Sequence, residues 1–316
     1  MKAVFVEKPG TAEDLRYADV PKPAPGPGQA LVKIEAAGVN FIDVYFRTGL
    51  YPAPAPILLG SEGAGTVESV GPDVTLVRPG DRVAYAMARG SYAEYAVVPA
   101  QQLVALPAEL DFAAGAAAML QGMTAHYLLY STYPVKKGTR CLIHAAAGGM
   151  GLLLVQMAKM LGAHVIGTVG SEDKAKLAKG AGADEVIVYT QENFVDKAKN
   201  MDVVYDSVGK TTFLPSMDCL RPRGMIVNFG NASGPAPDIS PLILNQKGSL
   251  FLTRPSLAHH LLTREELLWR SGDVLGWVKD GRLKLRIFKT YKLADAAQAH
   301  RDLEGRRTTG KLILVP

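Results

Sequence analysis

Cysteine is nearly missing from this chain: 316 residues carry two, Cys141 and Cys219. Two thiols cannot build a disulfide framework, and the expectation is a reducing, cytoplasmic setting. Long apolar runs are missing as well. No stretch approaches the roughly 18–20 residues needed to cross a bilayer, so no membrane partner is expected. Met1-Lys2 leads straight into the alternating Ala3-Val4-Phe5-Val6, closed by Lys8-Pro9-Gly10, which reads as a short strand rather than a secretory leader. Basic runs are the third absence. The net charge is +5, yet no run of Lys or Arg exceeds two, which speaks against a dedicated nucleic-acid role. Local basicity beside an anionic cofactor explains the charge equally well.

What is present is an ordinary globular mixture, 48% hydrophobic and 21% charged, in a chain long enough for two domains. The first hundred residues read as β-rich. Runs at Ala30–Glu35, Gly63–Val70, Arg82–Ala86 and Ser91–Val98 are separated by the turn clusters 23–28, Gly71-Pro72-Asp73 and Arg78-Pro79-Gly80-Asp81. No useful helix is expected before the Ala-rich region Asp111–Tyr130. The style then changes. Strand-like Arg140–Ala145, His164–Val169, Glu185–Tyr189, Val203–Tyr205, Met225–Phe229 and Gly248–Thr253 alternate with helical or loop material, including helices Met150–Leu161 and Glu172–Gly180. That alternation implies an α/β fold with a parallel sheet covered on both faces. Beyond it come a helix at Arg264–Lys279 and strands at Arg282–Tyr291 and Lys311–Val315. The economical organisation is a β-rich domain formed by 1–122 and 262–316, with a doubly wound domain inserted at 123–261.

The strand Arg140–Ala145 runs directly into Ala146-Ala147-Gly148-Gly149-Met150-Gly151 and a helix apolar nearly all round. Strand, tight turn and helix N-terminus are the context that a dinucleotide fingerprint requires. Gly148 removes a side chain where backbone must approach a pyrophosphate, and Gly151 lets the helix lie close to the strand. The free N–H groups and dipole of the helix start then favour an anion. Alanine at the first position loosens the match. Small residues that merely pack a helix on a sheet would give a similar string, but not this succession of βαβ units.

Cofactor choice turns on the end of the second strand. An NAD-specific chain places an acid there for the ribose 2′-hydroxyl; here stand Gly170-Ser171, then Glu172, Asp173 and Lys174. Ser171 can donate to a phosphate, Lys174 can pair with its charge, and Tyr189 can add a hydroxyl. NADPH is therefore expected, although acids at a helix start also serve its dipole.

At this point the chain resembles the quinone oxidoreductases of the medium-chain dehydrogenase/reductase superfamily, in their ζ-crystallin-like branch. The likeness is carried by Ala37–Asp43, Arg47–Pro52, Gly60–Gly65, Pro79–Val83, His144–Gly151, Tyr205–Gly209, Asn228–Asn231 and Gln246–Leu257. It implies a GroES-like catalytic domain, a Rossmann domain, an acceptor bound in the cleft between them, and a homodimer joined along the Rossmann sheet edge. Relatives in that superfamily include zinc alcohol dehydrogenases. Where those carry Gly-His-Glu, this chain has Gly60-Ser61-Glu62; where they carry the first catalytic cysteine, it has Val39-Asn40. No four-cysteine lobe exists, and Cys141 and His144, three apart on a strand, face opposite sides. No metal is expected.

Without a Lewis acid, alcohol oxidation loses the group that lowers the alcohol's pKa. The expected acceptor is already electrophilic, a quinone or an activated double bond. The resemblance implies Asn40 and Thr124 near the nicotinamide, Gly148, Gly149, Met150 and Gly151 at the pyrophosphate, and Ser171, Lys174, Tyr189 and Arg306 around the 2′-phosphate. It further implies Phe229, Gly230 and Asn231 along the cofactor, with Leu252 and Thr253 beside the nicotinamide. Asn40, Tyr45 and Tyr51 are the candidate catalytic residues. The two tyrosines flank a proline-rich loop and offer aromatic faces to a flat quinone, or else simply pack. Asp43 orients a neighbour or caps a helix beginning near Val44, the cap being the expected role. Arg254 serves a phosphate or the dimer edge. Two other functions stay open: a double-bond reductase acting on enoyl or alkenal substrates, and an RNA-binding or crystallin-like structural role.

Overall fold

The computed structural model describes all residues, Met1–Pro316. The chain divides into two compact units, Met1–Met123 with Leu261–Pro316, and Thr124–His260.

The first unit is built on a seven-stranded sheet. Six of its strands lie in the order Ile287–Lys292, Lys311–Val315, Gln29–Val39, Glu62–Val70, Arg82–Ala86 and Val104–Ala105, and Tyr95–Pro99 pairs with the start of Gln29–Val39. The pattern of Gln29–Val39 explains its central place, since Ala30, Val32, Ile34, Ala37 and Val39 all enter the core with Val67, Val83, Tyr85 and Leu312. A smaller antiparallel sheet joins Arg16–Asp19, Lys2–Val6 and Ile57–Leu58. The C-terminal strand returns antiparallel, with Leu312 opposite Val39 and Ile313 opposite Gly38. That register brings Lys311 to the end of the long strand, next to Asn40.

Two helices here depart from the sequence reading, one in where it starts and one altogether. Phe41–Thr48 starts three residues before the helix expected near Val44, in a stretch where no helix of useful length is expected. Its Ile, Val and aromatic content favours strand. The Asn40 N–H, however, donates to Asp43 Oδ2 at 3.1 Å, and Gly49 closes the helix in the left-handed region at φ 79. Asn40 is thus the N-cap and Asp43 the third residue of the helix, which corrects the expectation that Asp43 caps a helix from Val44. Ala296–Glu304 is the second, and it packs Ala296, Ala299 and His300 inward at helical spacing. The strand expected over Arg282–Tyr291 is confined to Ile287–Lys292.

The second unit is a six-stranded parallel sheet. Its order is Glu185–Val188, His164–Val169, Arg140–Ile143, Met201–Asp206, Leu220–Asn228 and Phe251–Thr253. In chain order this is 3-2-1-4-5-6, the doubly wound arrangement whose switch point lies beyond the carboxyl ends of the first and fourth strands. Helices Gly149–Met160 and Glu172–Gly180 follow the first and second strands. The first helix buries Leu152, Leu153, Leu154, Val155 and Met157, which accounts for its apolar sequence.

Candidate active site

In the second unit the loop after Arg140–Ile143 lies at the switch point. The Leu152 N–H closes the first helical bond to the Gly148 carbonyl at 2.9 Å, leaving Gly149, Met150 and Gly151 at the helix start, whose N–H groups have no partner within the helix. Gly148, Gly149 and Met150 are half-buried, while Gly151 is buried against the preceding turn. A Cβ at Gly151 would collide with the Ala145 carbonyl oxygen and stand 2.6 Å from Ala146 Cα. A Cβ at Gly148 would meet only the Ala145 oxygen, at 3.2 Å. The turn itself falls on Ala145, whose φ is 52. This is an anion cradle made of backbone, and its shape and donors fit a dinucleotide pyrophosphate.

The neighbouring strand ends bring together three of the four residues expected at the adenosine phosphate, Ser171, Lys174 and Tyr189. Ser171 caps Glu172–Gly180, its Oγ accepting from the Lys174 N–H at 3.4 Å. The Tyr189 hydroxyl lies against Gly170, 2.7 Å from where a Cβ would stand. Ser171 is exposed, Lys174 half-buried and Tyr189 exposed, so all three face outward around one strand-end corner.

Further along the sheet, Phe229, Gly230 and Asn231 follow the fifth strand. The Phe229 N–H donates to the Asp206 carbonyl, and with its amide oriented to satisfy both neighbours Asn231 accepts from Arg254 Nη2 at 3.1 Å. Arg254 Nη1 also donates to the Asn228 carbonyl at 2.9 Å. The arginine that the sequence left undecided therefore braces this loop from within the unit. Leu252 and Thr253 lie on the edge strand, Leu252 exposed. Thr124 is buried in the helix Phe112–Tyr127. Asp206 Oδ1 accepts from the N–H groups of Val208 and Gly209 and from the Thr212 hydroxyl, while buried Oδ2 has no partner. His144 stands just past its strand, its ring tied to Thr168 and Ser216, and burial lowers its pKa.

The first unit holds a different construction. The buried Asn40, Glu62 and Lys311 meet in one cluster. The Lys311 ammonium pairs with Glu62 and donates to Asn40 Oδ1 at 2.7 Å. Asn40 Nδ2 donates to Glu62 Oε2 at 2.8 Å and to the Gly38 carbonyl, and Gln121 Nε2 donates to Asn40 Oδ1 at 3.2 Å. The Asn40 carboxamide is thereby saturated by its own unit. Gly38 makes room, since a Cβ there would strike Glu62 and sit 2.8 Å from Lys311 Cε. Lys311 and Gln121 were not singled out from the sequence, and Glu62 was named only as part of the motif that replaces the zinc site; the fold, with the C-terminal strand bringing Lys311 to Asn40, is what joins them.

A second buried network adjoins it. Asp43 accepts from the Ser61 hydroxyl at 2.7 Å and from Tyr92 at 3.2 Å; the Tyr92 hydroxyl also meets His300 Nε2 at 3.3 Å. Arg47 meets His300 Nδ1 and forks onto Glu304 with two bonds of 2.8 Å. Burial raises the Asp43 carboxyl to about 6, against the hydrogen bonds it accepts. Burial, with the Arg47 charge beside it, pushes His300 down to about 3. Asp43 thus orients Ser61, one of the two roles considered for it, and as the third residue of the helix it holds the Asn40 N–H instead of capping a helix from Val44.

Tyr45 and Tyr51 do come together, edge to face with ring centroids 5.2 Å apart, and Phe46 meets Tyr51 at 5.9 Å. Tyr45 is buried and Tyr51 half-buried, so Tyr51 carries the more accessible face. Arg306 belongs to this unit, just after helix Ala296–Glu304, with φ 56.

These positions do not suit zinc. The resemblance sets Asn40 and Ser61 where zinc dehydrogenases carry ligands, and Glu62 is committed to an ammonium ion. No group of three or more His, Cys, Asp or Glu side chains is arranged to hold a metal ion. A doubly wound nucleotide fold with a glycine cradle, joined to a β-rich unit whose metal positions hold an amide and an ion pair, defines a class: dehydrogenase-like oxidoreductases without the catalytic metal.

Comparison with known proteins carries this further. The alcohol dehydrogenase GroES-like domain family matches residues 26–108, and the zinc-binding dehydrogenase family matches residues 181–314. A quinone oxidoreductase of Pseudomonas aeruginosa is 48% identical over 97% of each chain. The 2-haloacrylate reductase of a Burkholderia species is 43% identical, over 99% of this chain and 98% of its own. The crystal structure of Escherichia coli quinone oxidoreductase complexed with NADPH superposes with a TM-score of 0.98 over all of both chains, at 42% identity. The chain belongs to the quinone oxidoreductase family.

Proposed function

We propose that this protein is an enzyme that reduces quinones with NADPH and uses no metal. The observation that carries the reading is the pairing of an intact anion cradle at Gly148–Gly151 with metal positions filled by Asn40, Ser61 and an ion-paired Glu62. The solved E. coli relative with NADPH supports the cofactor. NADPH supplies the reducing equivalents, and the chain's own residues bind, orient and shield. Gly148, Gly149, Met150 and Gly151 hold the pyrophosphate through backbone N–H groups. Ser171, Lys174, Tyr189 and Arg306 take the 2′-phosphate. Phe229, Gly230, Asn231, Thr124, Leu252 and Thr253 line the cofactor's path, and Asn40, fixed by Lys311 and Glu62, meets it by shape rather than by a spare hydrogen bond. Tyr51, backed by Tyr45, offers the acceptor an aromatic face.

The protein acts as a homodimer in the cytoplasm on this reading. The edge strand Phe251–Thr253, with Phe251 and Leu242 both well exposed, suits a second copy, and two buried, unpaired cysteines suit a reducing compartment. A 2-haloacrylate reductase at 43% identity keeps activated alkenes as the second acceptor class. The decisive assay follows NADPH absorbance against a panel of quinones and α,β-unsaturated carbonyls. Turnover of quinones is expected. Rapid turnover of an alkene with none of any quinone would overturn the reading in favour of the second class.

A further inference from the structure

The loop joining Arg82–Ala86 to Tyr95–Pro99 is pinned at both ends to the segment that replaces the metal motif. The Met87 N–H donates to the Ser61 carbonyl at 2.7 Å, and the Ser91 N–H donates to the Gly60 carbonyl at 3.0 Å. Ser91 is fully buried and its hydroxyl meets that of Tyr85 at 2.8 Å. Met87 is held at φ 70, a left-handed conformation that residues with a β-carbon adopt only where surrounding contacts impose it. Ala88 is buried, and the next residue, Arg89, is exposed at the tip.

Arg89 differs from other arginines of its unit. Arg47 forks onto Glu304, Arg78 pairs with Asp81, Arg82 donates to three carbonyls and Arg301 pairs with Glu13. Arg89 has neither an ion pair nor a hydrogen bond, and its one contact is with a ring, the guanidinium carbon lying 5.1 Å from the centroid of Phe46. Phe46 in turn meets Tyr51, and Tyr51 meets Tyr45. A guanidinium lying over a ring leaves its N–H donors free, and paired donors match two oxygens of a carboxylate or a sulfonate. An exposed cation without an ion pair thus borders the aromatic cluster.

We propose that Arg89 is a specificity-determining residue that selects flat acceptors carrying a carboxylate or sulfonate. The inference rests on the reading that the acceptor lies against Tyr51, and it narrows the substrate class of that site. The neutral ring meets the aromatic face while the anionic substituent meets Arg89.

The test compares 1,2-naphthoquinone-4-sulfonate with 1,2-naphthoquinone, each with saturating NADPH, in wild type and Arg89→Gln. The exposed setting of Arg89 limits the effect to about fivefold. The sulfonate should lose about that much kcat/KM, mostly through KM, while the neutral quinone stays within about twofold. Arg89→Lys should restore part of the preference, and added salt should erode it in wild type. Equal effects on both quinones, or none on either, would overturn the proposal while leaving quinone reduction intact. A raised KM for NADPH with unchanged discrimination would also overturn it, by assigning the anion to the cofactor. Failure of wild type to reduce either quinone removes the underlying acceptor reading as well, and is recognised by that double inactivity.

Discussion

In the unit Thr124–His260 the candidate site is made of backbone: helix-start N–H groups, glycines without side chains and an alanine turned to φ 52. In the unit Met1–Met123 with Leu261–Pro316 the polar cluster is made of buried side chains, an ammonium, a carboxylate and a carboxamide that satisfy one another. The backbone site depends on what is left out and on local conformation. The side-chain site depends on charges that are costly to bury singly and tolerable only as a set. One construction fails by steric intrusion and the other by removal of a partner.

The largest expected effect comes from the side-chain cluster. Lys311→Met strands Glu62 as a buried, uncompensated carboxylate, and breaking such a pair costs about 3–5 kcal/mol. Urea unfolding should show that loss, and Lys311→Met combined with Glu62→Gln should recover at least half of it. A single variant within about 1 kcal/mol of wild type would mean that the cluster is not held by charge, and the contrast between the units would collapse.

Next in size are substitutions at the cradle, where two glycines should part company. At Gly151→Ala the added methyl meets main-chain atoms that cannot move aside, and forced packing of this kind costs about 1–3 kcal/mol. Both thermal stability and NADPH affinity should fall. At Gly148→Ala the nearest atom stands at 3.2 Å, so the stability loss should be the smaller of the two while NADPH affinity drops. Equal stability losses at both positions would show that Gly148 serves packing alone.

The difference in construction also explains what was legible in advance. The cradle and its flanking strand and helix occupy one continuous stretch, and the helices Glu172–Gly180 and Arg264–Lys279 and the strand Lys311–Val315 fall where their patterns put them. The ion-pair cluster joins residues 22, 249 and 271 positions apart, a distance that no local pattern spans. The start of Phe41–Thr48 was misplaced towards Val44 because its β-branched and aromatic residues favour strand while the Asn40–Asp43 capping pair favours helix, and that cap prevailed. Ala296–Glu304 had a readable signal in its buried face at 296, 299 and 300. Arg254 lies in a loop, where periodicity says nothing, and its role inside the unit appears only once Asn228 and Asn231 are folded around it.

The buried network around Tyr92 should reveal itself in the pH dependence of stability. His300 stays neutral in the fold down to about 3, whereas the unfolded imidazole takes up a proton below 6.5. Its contribution is therefore lost as pH falls through that window, by at most about 1.4 kcal/mol per pH unit. Asp43 has the opposite sign. Its folded carboxyl keeps a proton up to about 6 while the unfolded one releases it above 3.8, so its contribution is lost as pH rises between those values. The two slopes oppose each other between about pH 4 and 6. Asp43→Asn should uncover the His300 slope, and His300→Gln should uncover that of Asp43. Denaturant titrations that leave both variants with the wild-type slope would rule out titration within this network.

The smallest effect tests the other unit at its exposed corner. Lys174 shares that corner with Ser171 and Tyr189, and an ammonium that meets the 2′-phosphate should contribute about tenfold in affinity. Lys174→Ala should raise the KM for NADPH by roughly that factor and leave NADH within about twofold, because NADH lacks the phosphate. Ser171→Ala separates the hydroxyl's two tasks. Loss of the helix cap costs about 1 kcal/mol or less with either cofactor, whereas loss of a phosphate contact weakens NADPH alone. If Lys174→Ala weakens both cofactors equally, the corner does not read the phosphate, and the backbone cradle binds the dinucleotide without choosing between its two forms.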